Sequence, residues 1–184
     1  LVRAYTLATP PRETGELVLC LDRVPGGLGS DYLFSIGPGT QLTFGAPMGR
    51  FTLQETDADQ IWVARFTGIV PFRAMVLALR ERPPKGKVTL VYGAPRPEDL
   101  AYHAELLRTA EECPWFELLA TVDEPDEHWA GHVGPELNLL PAQVGDRKDL
   151  LPMACGKREF VHAVRTFFQE RGYDRRAVKI ESYD

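Results

Sequence analysis

The pattern of apolar and polar positions changes character near the end of the first third of the chain. Up to residue 53 the apolar residues fall in short extended runs. Residues 4–8 are apolar-rich, and 16–24 alternate and are dense in Leu and Val, so both read as strands. Pro25-Gly26-Gly27 breaks the second run, 30–35 fits one helical turn, and Gly37-Pro38-Gly39 is a turn. Residues 41–53 are extended, with a kink at Pro47. After the polar stretch 54–59 (Gln-Glu-Thr-Asp-Ala-Asp) strands alternate with helices. The predicted strands are 61–64, 88–92, 116–122, 151–154 and 177–180. The predicted helices are 71–82, with Phe72, Met75, Val76 and Leu79 at helical spacing, 97–112, with Leu100, Leu106 and Leu107 on one side, and 158–171, with Phe160, Val161, Val164, Phe167 and Phe168 inward and Gly172 as its stop. Strand–helix alternation implies crossover connections and a parallel sheet.

The expected architecture is therefore an α/β part preceded by a β part, divided near residue 56: 1–56 and 57–184. Only about three strands precede that division, where a closed antiparallel barrel takes five or six. The barrel is expected to be truncated at its N-terminus in this sequence.

Composition narrows the classes of function. At 184 residues the chain holds one domain or two small ones, and 44% hydrophobic with 26% charged residues excludes a disordered or fibrous protein. No apolar run approaches membrane-spanning length, and the opening Leu-Val-Arg-Ala-Tyr-Thr has no signal-peptide or targeting character, so a cytoplasmic protein is expected. A net charge of −5 without a basic block argues against nucleic acid as the partner. Cys20, Cys113 and Cys155 are too far apart for a zinc or iron–sulfur spacing, and the one i,i+4 histidine pair, His128 and His132, has a glycine between its members; no metal is expected.

Five local patterns carry chemistry. Arg3-Ala4-Tyr5-Thr6 puts a cation, an aromatic ring and a hydroxyl on one short extended segment. Gly27-Leu28-Gly29-Ser30 opens a possible helical turn whose N–H groups suit a phosphate. Val63-Ala64-Arg65-Phe66-Thr67-Gly68-Ile69-Val70-Pro71-Phe72 reads as a strand, a tight turn with Gly and a helix start with Pro in its first turn, aiming free N–H groups and the positive end of the helix dipole at an anion, although an ordinary strand–helix junction reads the same way. Gly93-Ala94-Pro95-Arg96 follows the second parallel strand, where Arg96 could meet an adenosine phosphate or remain a solvated loop residue. Cys155-Gly156 closes the fourth strand, at the edge where parallel sheets bind ligands, although a lone cysteine is more often a buried structural one.

In order and spacing this set resembles the ferredoxin–NADP reductase family of flavoprotein oxidoreductases. Arg3–Thr6 is similar to the family's Arg-x-Tyr-Ser/Thr flavin motif and Gly27–Ser30 to its Gly-x-x-Ser phosphate motif. Residues 66–72 resemble Gly-Thr-Gly-Ile-x-Pro-Phe, and 93–102 the second nucleotide loop. Trp129-Ala130-Gly131-His132-Val133-Gly134 resembles Trp-x-Gly-x-x-Gly, Cys155-Gly156 the Cys-Gly pair, and Ile180-Glu181-Ser182-Tyr183 the acidic-aromatic C-terminus.

The resemblance implies an antiparallel flavin-binding barrel followed by a five-stranded parallel nucleotide-binding domain. It implies FAD rather than FMN as cofactor, NADP or NAD as substrate, and a ferredoxin, flavodoxin or similar one-electron acceptor as partner. It places Arg3, Ala4, Tyr5, Thr6, Asp22, Val24, Gly27, Gly29, Ser30, Thr67 and Tyr183 at the flavin. Thr67, Gly68, Pro71, Arg96, Cys155, Gly156 and Lys157 fall at the nicotinamide nucleotide, and Thr6, Cys155 and Glu181 near the reacting atoms.

Two departures stand out. Arg65 and Phe66 replace small residues, usually Gly, of the family's dinucleotide turn, and Lys157-Arg158 follows the Cys-Gly pair where the family commonly has Pro-Pro or Asn/Ser-Pro. Phe66 could hinder the nicotinamide pose, and the cations, with Arg96, lean towards NADP. The alternatives to a reductase are an electron-transfer or regulatory subunit with weakened NAD(P)H binding, and a scaffold that has lost nucleotide binding.

Overall fold

The computed structural model describes residues 2–11 and 15–183. Its body is a parallel sheet of six strands in the order β4-β3-β2-β1-β5-β6: β1 Gln60–Arg65, β2 Val88–Ala94, β3 Phe116–Val122, β4 His132–Val133, β5 Leu151–Lys157 and β6 Lys179–Tyr183. Five strands were expected. The sixth, β4, has only two residues, too short to show alternation, and exists because Thr121 and Val122 offer it a ladder. β1, in the centre, is buried on both faces from Gln60 to Ala64, as a strand covered by crossover helices must be.

The helices divide by face. α2 Ile69–Glu81 and α3 His103–Glu112 cover one side, where Phe72 stacks on Trp62 with ring centroids 5.2 Å apart, among Met75, Val76, Leu79, Leu90 and Leu106. α4 Leu140–Val144 and α5 Arg158–Glu170 cover the other, with Val161, Val164 and Phe168 against Ile61, Val63 and Ala154. A polar pair buried under α2 is satisfied: Trp62 Nε1 donates to Gln60 Oε1 at 3.0 Å.

Two elements of this half differ from expectation. The helix predicted over 97–112 is divided into a 3₁₀ turn, Pro97–Asp99, and α3, because Tyr102 adopts a left-handed φ of 62° between them. Its ring then lies under the Arg73 guanidinium, 4.2 Å from centroid to Cζ. The last strand starts two residues later than predicted and runs to Tyr183, so Glu181 and Tyr183 are strand residues.

The extended runs of 4–8, 16–24 and 41–53 share one antiparallel bridge, Leu7 with Leu19, and form no ladder among the described residues. A strand is held by its neighbours' hydrogen bonds, which alternation alone does not supply. α1 Leu28–Ser35 starts two residues before the predicted turn. The first segment lies on the α2–α3 side of the sheet: Ala8 is fully buried there and its carbonyl accepts from Arg73 Nη1 at 2.7 Å. No helix of the described residues is long and apolar enough to cross a membrane.

Candidate functional site

The strand order reverses between β1 and β5. The strands on one side of that point run β1, β2, β3 away from it, and those on the other run β5, β6. At such a switch point the crossovers leave on opposite faces and a crevice opens at the carboxyl ends of the strands. The sequence motifs converge there.

The turn after β1 is a single 3₁₀ turn, Phe66–Gly68, leading directly into α2. Gly68 has an ordinary helical backbone but no room for a side chain: a Cβ would lie 2.1 Å from the Cys155 carbonyl oxygen and 2.6 Å from its carbon. This close approach seats the α2 N-terminus against β5, so Gly68 acts by packing. Phe66, at φ 53°, holds a left-handed conformation that costs a non-glycine residue roughly 1–2 kcal/mol. Pro71 is buried in the first turn of α2, where its fixed φ suits the start of the helix.

On the β5–β6 side, Thr6 and Glu181, 175 residues apart, meet: the Thr6 hydroxyl donates to Glu181 Oε1 at 3.1 Å. Tyr183 lies beside them. Its hydroxyl is buried next to the Cys155 thiol and the Thr6 hydroxyl, with no hydrogen bond of good geometry among the described residues. Cys155 is itself fully buried, and burial pushes its thiol up to about 12, so it stands in the site as a neutral thiol. Gly156 continues β5 beneath Phe160, and Lys157, exposed, caps α5.

The flavin motifs of the first segment also meet. Arg3 and Tyr5 lie over the start of α1, where a Cβ on Gly29 would fall 2.5 Å from the Tyr5 hydroxyl and 3.0 Å from Arg3 Cγ. Arg3 is exposed and donates to the adjacent Val2 carbonyl at 2.9 Å. The Ser30 hydroxyl is committed to its own loop, donating to the Val24 and Gly27 carbonyls at 3.2 and 3.1 Å and accepting from the Val24 N–H at 3.1 Å. The first-turn N–H groups of α1, with Arg3 above them, remain on that side for an anion. Asp22 lies near Thr67. Burial, with the nearby charge of Asp99, raises its affinity for a proton.

The exposed Arg3, the open α1 N-terminus and the orphaned Tyr183 hydroxyl suit a group with a phosphate at one end and hydrogen-bonding ring atoms at the other, as FAD has. Ala4 and Val24 are exposed, and their side chains offer only apolar contact.

The β1–β3 side holds a network absent from the sequence expectations. Arg65, the last residue of β1, donates through Nη1 to both oxygens of Glu136, at 3.0 and 3.2 Å, and through Nη2 to Asp123. Glu136 is 1% exposed and hangs over Gly93 of β2, where a Cβ would fall 2.0 Å from its Oε1. Burial drives Glu136 towards the protonated form and Arg65 opposes it. Arg96, expected at a phosphate, is paired with Glu124 at 3.3 Å and Glu98 at 3.9 Å. Glu136 carried no signal in the sequence. The glycine at position 93 was its only trace, and a strand-end glycine has many causes.

Comparison with known proteins agrees with this division of the site. The oxidoreductase FAD-binding domain model matches residues 1–53 and the oxidoreductase NAD-binding domain model residues 62–166. Ferredoxin–NADP reductase B of Sorangium cellulosum is 31% identical over 191 residues, covering 99% of this chain and 78% of that protein. A component of the Na(+)-translocating NADH-quinone reductase of Methylococcus capsulatus is 28% identical over 200 residues, covering 99% of this chain and 49% of that protein. The chain thus spans about half or less of the quinone reductase relatives it matches.

Among solved structures, a cytochrome P450 reductase of Amycolatopsis superposes with a TM-score of 0.81 at 25% identity, over 97% of this chain and 55% of that one. A ferredoxin NADP+ reductase of Neisseria gonorrhoeae, solved with bound FAD and NADP, superposes with a TM-score of 0.80 at 18% identity, over 98% of this chain and 79% of that one, and shares the fold. With both domain models matched in order and a relative aligned across nearly the whole of this chain, the chain belongs to the ferredoxin–NADP reductase family of FAD- and NAD(P)-binding oxidoreductases.

Proposed function

We propose that this chain passes electrons between NAD(P)H and a one-electron acceptor protein, such as a ferredoxin or flavodoxin, through bound FAD. The observation that carries the reading is the Thr6–Glu181 hydrogen bond, which ties the N-terminal flavin motif to the carboxyl end of β6, beside Cys155 and Tyr183 at the switch point. FAD, when bound, takes an electron pair from a reduced nicotinamide and releases electrons singly. The chain's residues supply position and electrostatics. Arg3 and the α1 N-terminus hold phosphate. Thr6 and Glu181 keep a hydroxyl and a carboxylate at the ring edge, and the buried neutral thiol of Cys155 lines the nicotinamide side without adding charge. The acceptor is the least constrained part of the reading: the ferredoxin reductase relative supports a ferredoxin, and the quinone reductase relatives support a redox partner within a larger assembly.

A second reading, an electron-transfer subunit with weakened NAD(P)H binding, is favoured by the left-handed Phe66 and by Arg65 being tied to two carboxylates where the family has small residues. An anaerobic absorbance titration separates the two. The reductase reading expects a flavin spectrum that bleaches when NADH or NADPH is added. A flavin that ignores both favours the second reading, and a protein that takes up no FAD refutes both. Arg3→Ala is expected to cost roughly 1.5–3 kcal/mol of flavin binding, the worth of a charge-assisted phosphate contact. Unchanged flavin retention removes Arg3 from the phosphate site.

A further inference from the structure

The dinucleotide crevice has two unlike halves. Thr6, Glu181, Tyr183 and Cys155 mark the β5–β6 half as the redox end. A dinucleotide lying across a switch point then puts its adenosine half over the ends of β1, β2 and β3. NADPH differs from NADH only there, by a 2′-phosphate carrying roughly −1.5 to −2 charges at neutral pH. What meets that phosphate decides the choice.

Two arginines stand on this rim, and both already face carboxylates, Arg65 half-buried and Arg96 at the surface, 59% exposed. Arg65 is bonded to Glu136 and Asp123, and Arg96 to Glu124 and Glu98. Two cations against four carboxylates leave a net charge of −2. The rim is also braced by the backbone: the N–H groups of Asp123 and Glu124 donate to the carbonyls of Ala94 and Pro95 at 3.2 and 2.9 Å, which fixes the acidic loop after β3 against the loop after β2. Arg65 cannot turn to a phosphate without leaving the Glu136 carboxylate, 1% exposed, with its charge uncompensated. Arg96 is the looser of the two, because its partners are surface groups 65% and 72% exposed. A ribose with a free 2′-hydroxyl brings a donor to this rim, and a carboxylate accepts it.

We propose that the ion-paired rim formed by Arg65, Arg96, Glu98, Asp123, Glu124 and Glu136 makes NADH the nucleotide of this chain and rejects NADPH at the adenosine ribose. The proposal rests on the nucleotide-binding reading given above and reverses the lean towards NADP that Arg96 and Lys157 suggested from sequence. Lys157 sits on β5, in the other half of the crevice.

The test is calorimetric titration of the whole FAD-loaded chain with NADH and with NADPH at low salt, so that the readout is binding. NADH is expected to bind at least about tenfold tighter, and the ratio to shrink as salt screens the exposed carboxylates. Glu98→Gln with Glu124→Gln, which frees Arg96, is expected to tighten NADPH at least about threefold. NADPH binding as tightly as NADH in the wild type overturns the proposal. So does a double variant whose ratio changes only because NADH weakens. If neither nucleotide binds, the nucleotide-binding reading itself falls, and the two failures are told apart in one experiment.

Discussion

Gly68→Ala is the sharpest probe of how the site is built, because the glycine of a nucleotide-binding turn is readily taken for a ligand contact. Here its backbone is helical, at φ −60° and ψ −9°, so alanine meets no conformational penalty and gains up to about 1 kcal/mol from the less flexible unfolded chain. The obstacle is a Cβ placed 2.1 Å from the Cys155 carbonyl oxygen and 2.6 Å from its carbon, which must open by more than about 1 Å to reach ordinary contact. Neither side yields easily: β5 is hydrogen-bonded to both β1 and β6, and α2 is locked to the sheet by Phe72 on Trp62. Overpacking of this kind costs about 1–3 kcal/mol, occasionally more, and a main-chain obstacle belongs at the upper end. The net loss is about 2 kcal/mol, or about 4–8 °C in Tm for a chain of this size.

Urea unfolding, run without nucleotide and at equal flavin content, reads it directly. Gly37→Ala serves as control, since nothing lies within 4 Å of a Cβ there. A Gly68→Ala protein within about 0.5 kcal/mol of the wild type, at unchanged m-value, refutes the packing role.

The remaining predictions concern ionisable groups. Cys155, fully buried with its thiol pushed up to about 12, is expected to resist iodoacetamide at pH 8 in the folded protein and to react fully once unfolded; rapid labelling of Cys155 in the native state, read by peptide mass spectrometry, contradicts that burial. The Asp59 carboxyl is held below the usual range by its hydrogen bond from Arg147, helped by the Lys87 N–H, so it contributes stability above the ordinary carboxylate pKa that is lost as pH falls through its lowered folded value. Arg147→Gln is therefore expected to lower stability at neutral pH by the modest amount a largely exposed pair carries, to leave stability at low pH nearly unchanged, and so to flatten the acid limb of urea midpoint against pH below about pH 5; an unchanged acid limb refutes the pairing.

Much of this protein was legible along the chain. The strands of the second half came out with small boundary shifts because burial on both faces leaves a continuous apolar run, and α2 and α5 because one buried stripe repeats every 3.6 residues. The motif residues at 3–6, 27–30, 66–72 and 155–156 identified the family because local chemistry must be written locally. Three things were not legible. β4 is a product of its neighbour's ladder. The break at Tyr102 is a left-handed backbone at an aromatic residue, a type that seldom adopts it, and it accompanies the Arg73 cation over the ring. Glu136 joins Arg65 across 71 residues of chain.

The sequence by itself determined the periodicities, the breaks and the residue types that phosphate and flavin require, since each depends on neighbours a few positions away. Only the tertiary structure decided which charges face one another. It tied Arg65 to a buried carboxylate, set Arg96 beside two surface carboxylates, and joined Thr6 to Glu181. The cause is that electrostatic and hydrogen-bond partners are chosen by distance in space, over a few ångströms, and a linear sequence holds no record of that distance until the sheet order brings the strand ends together.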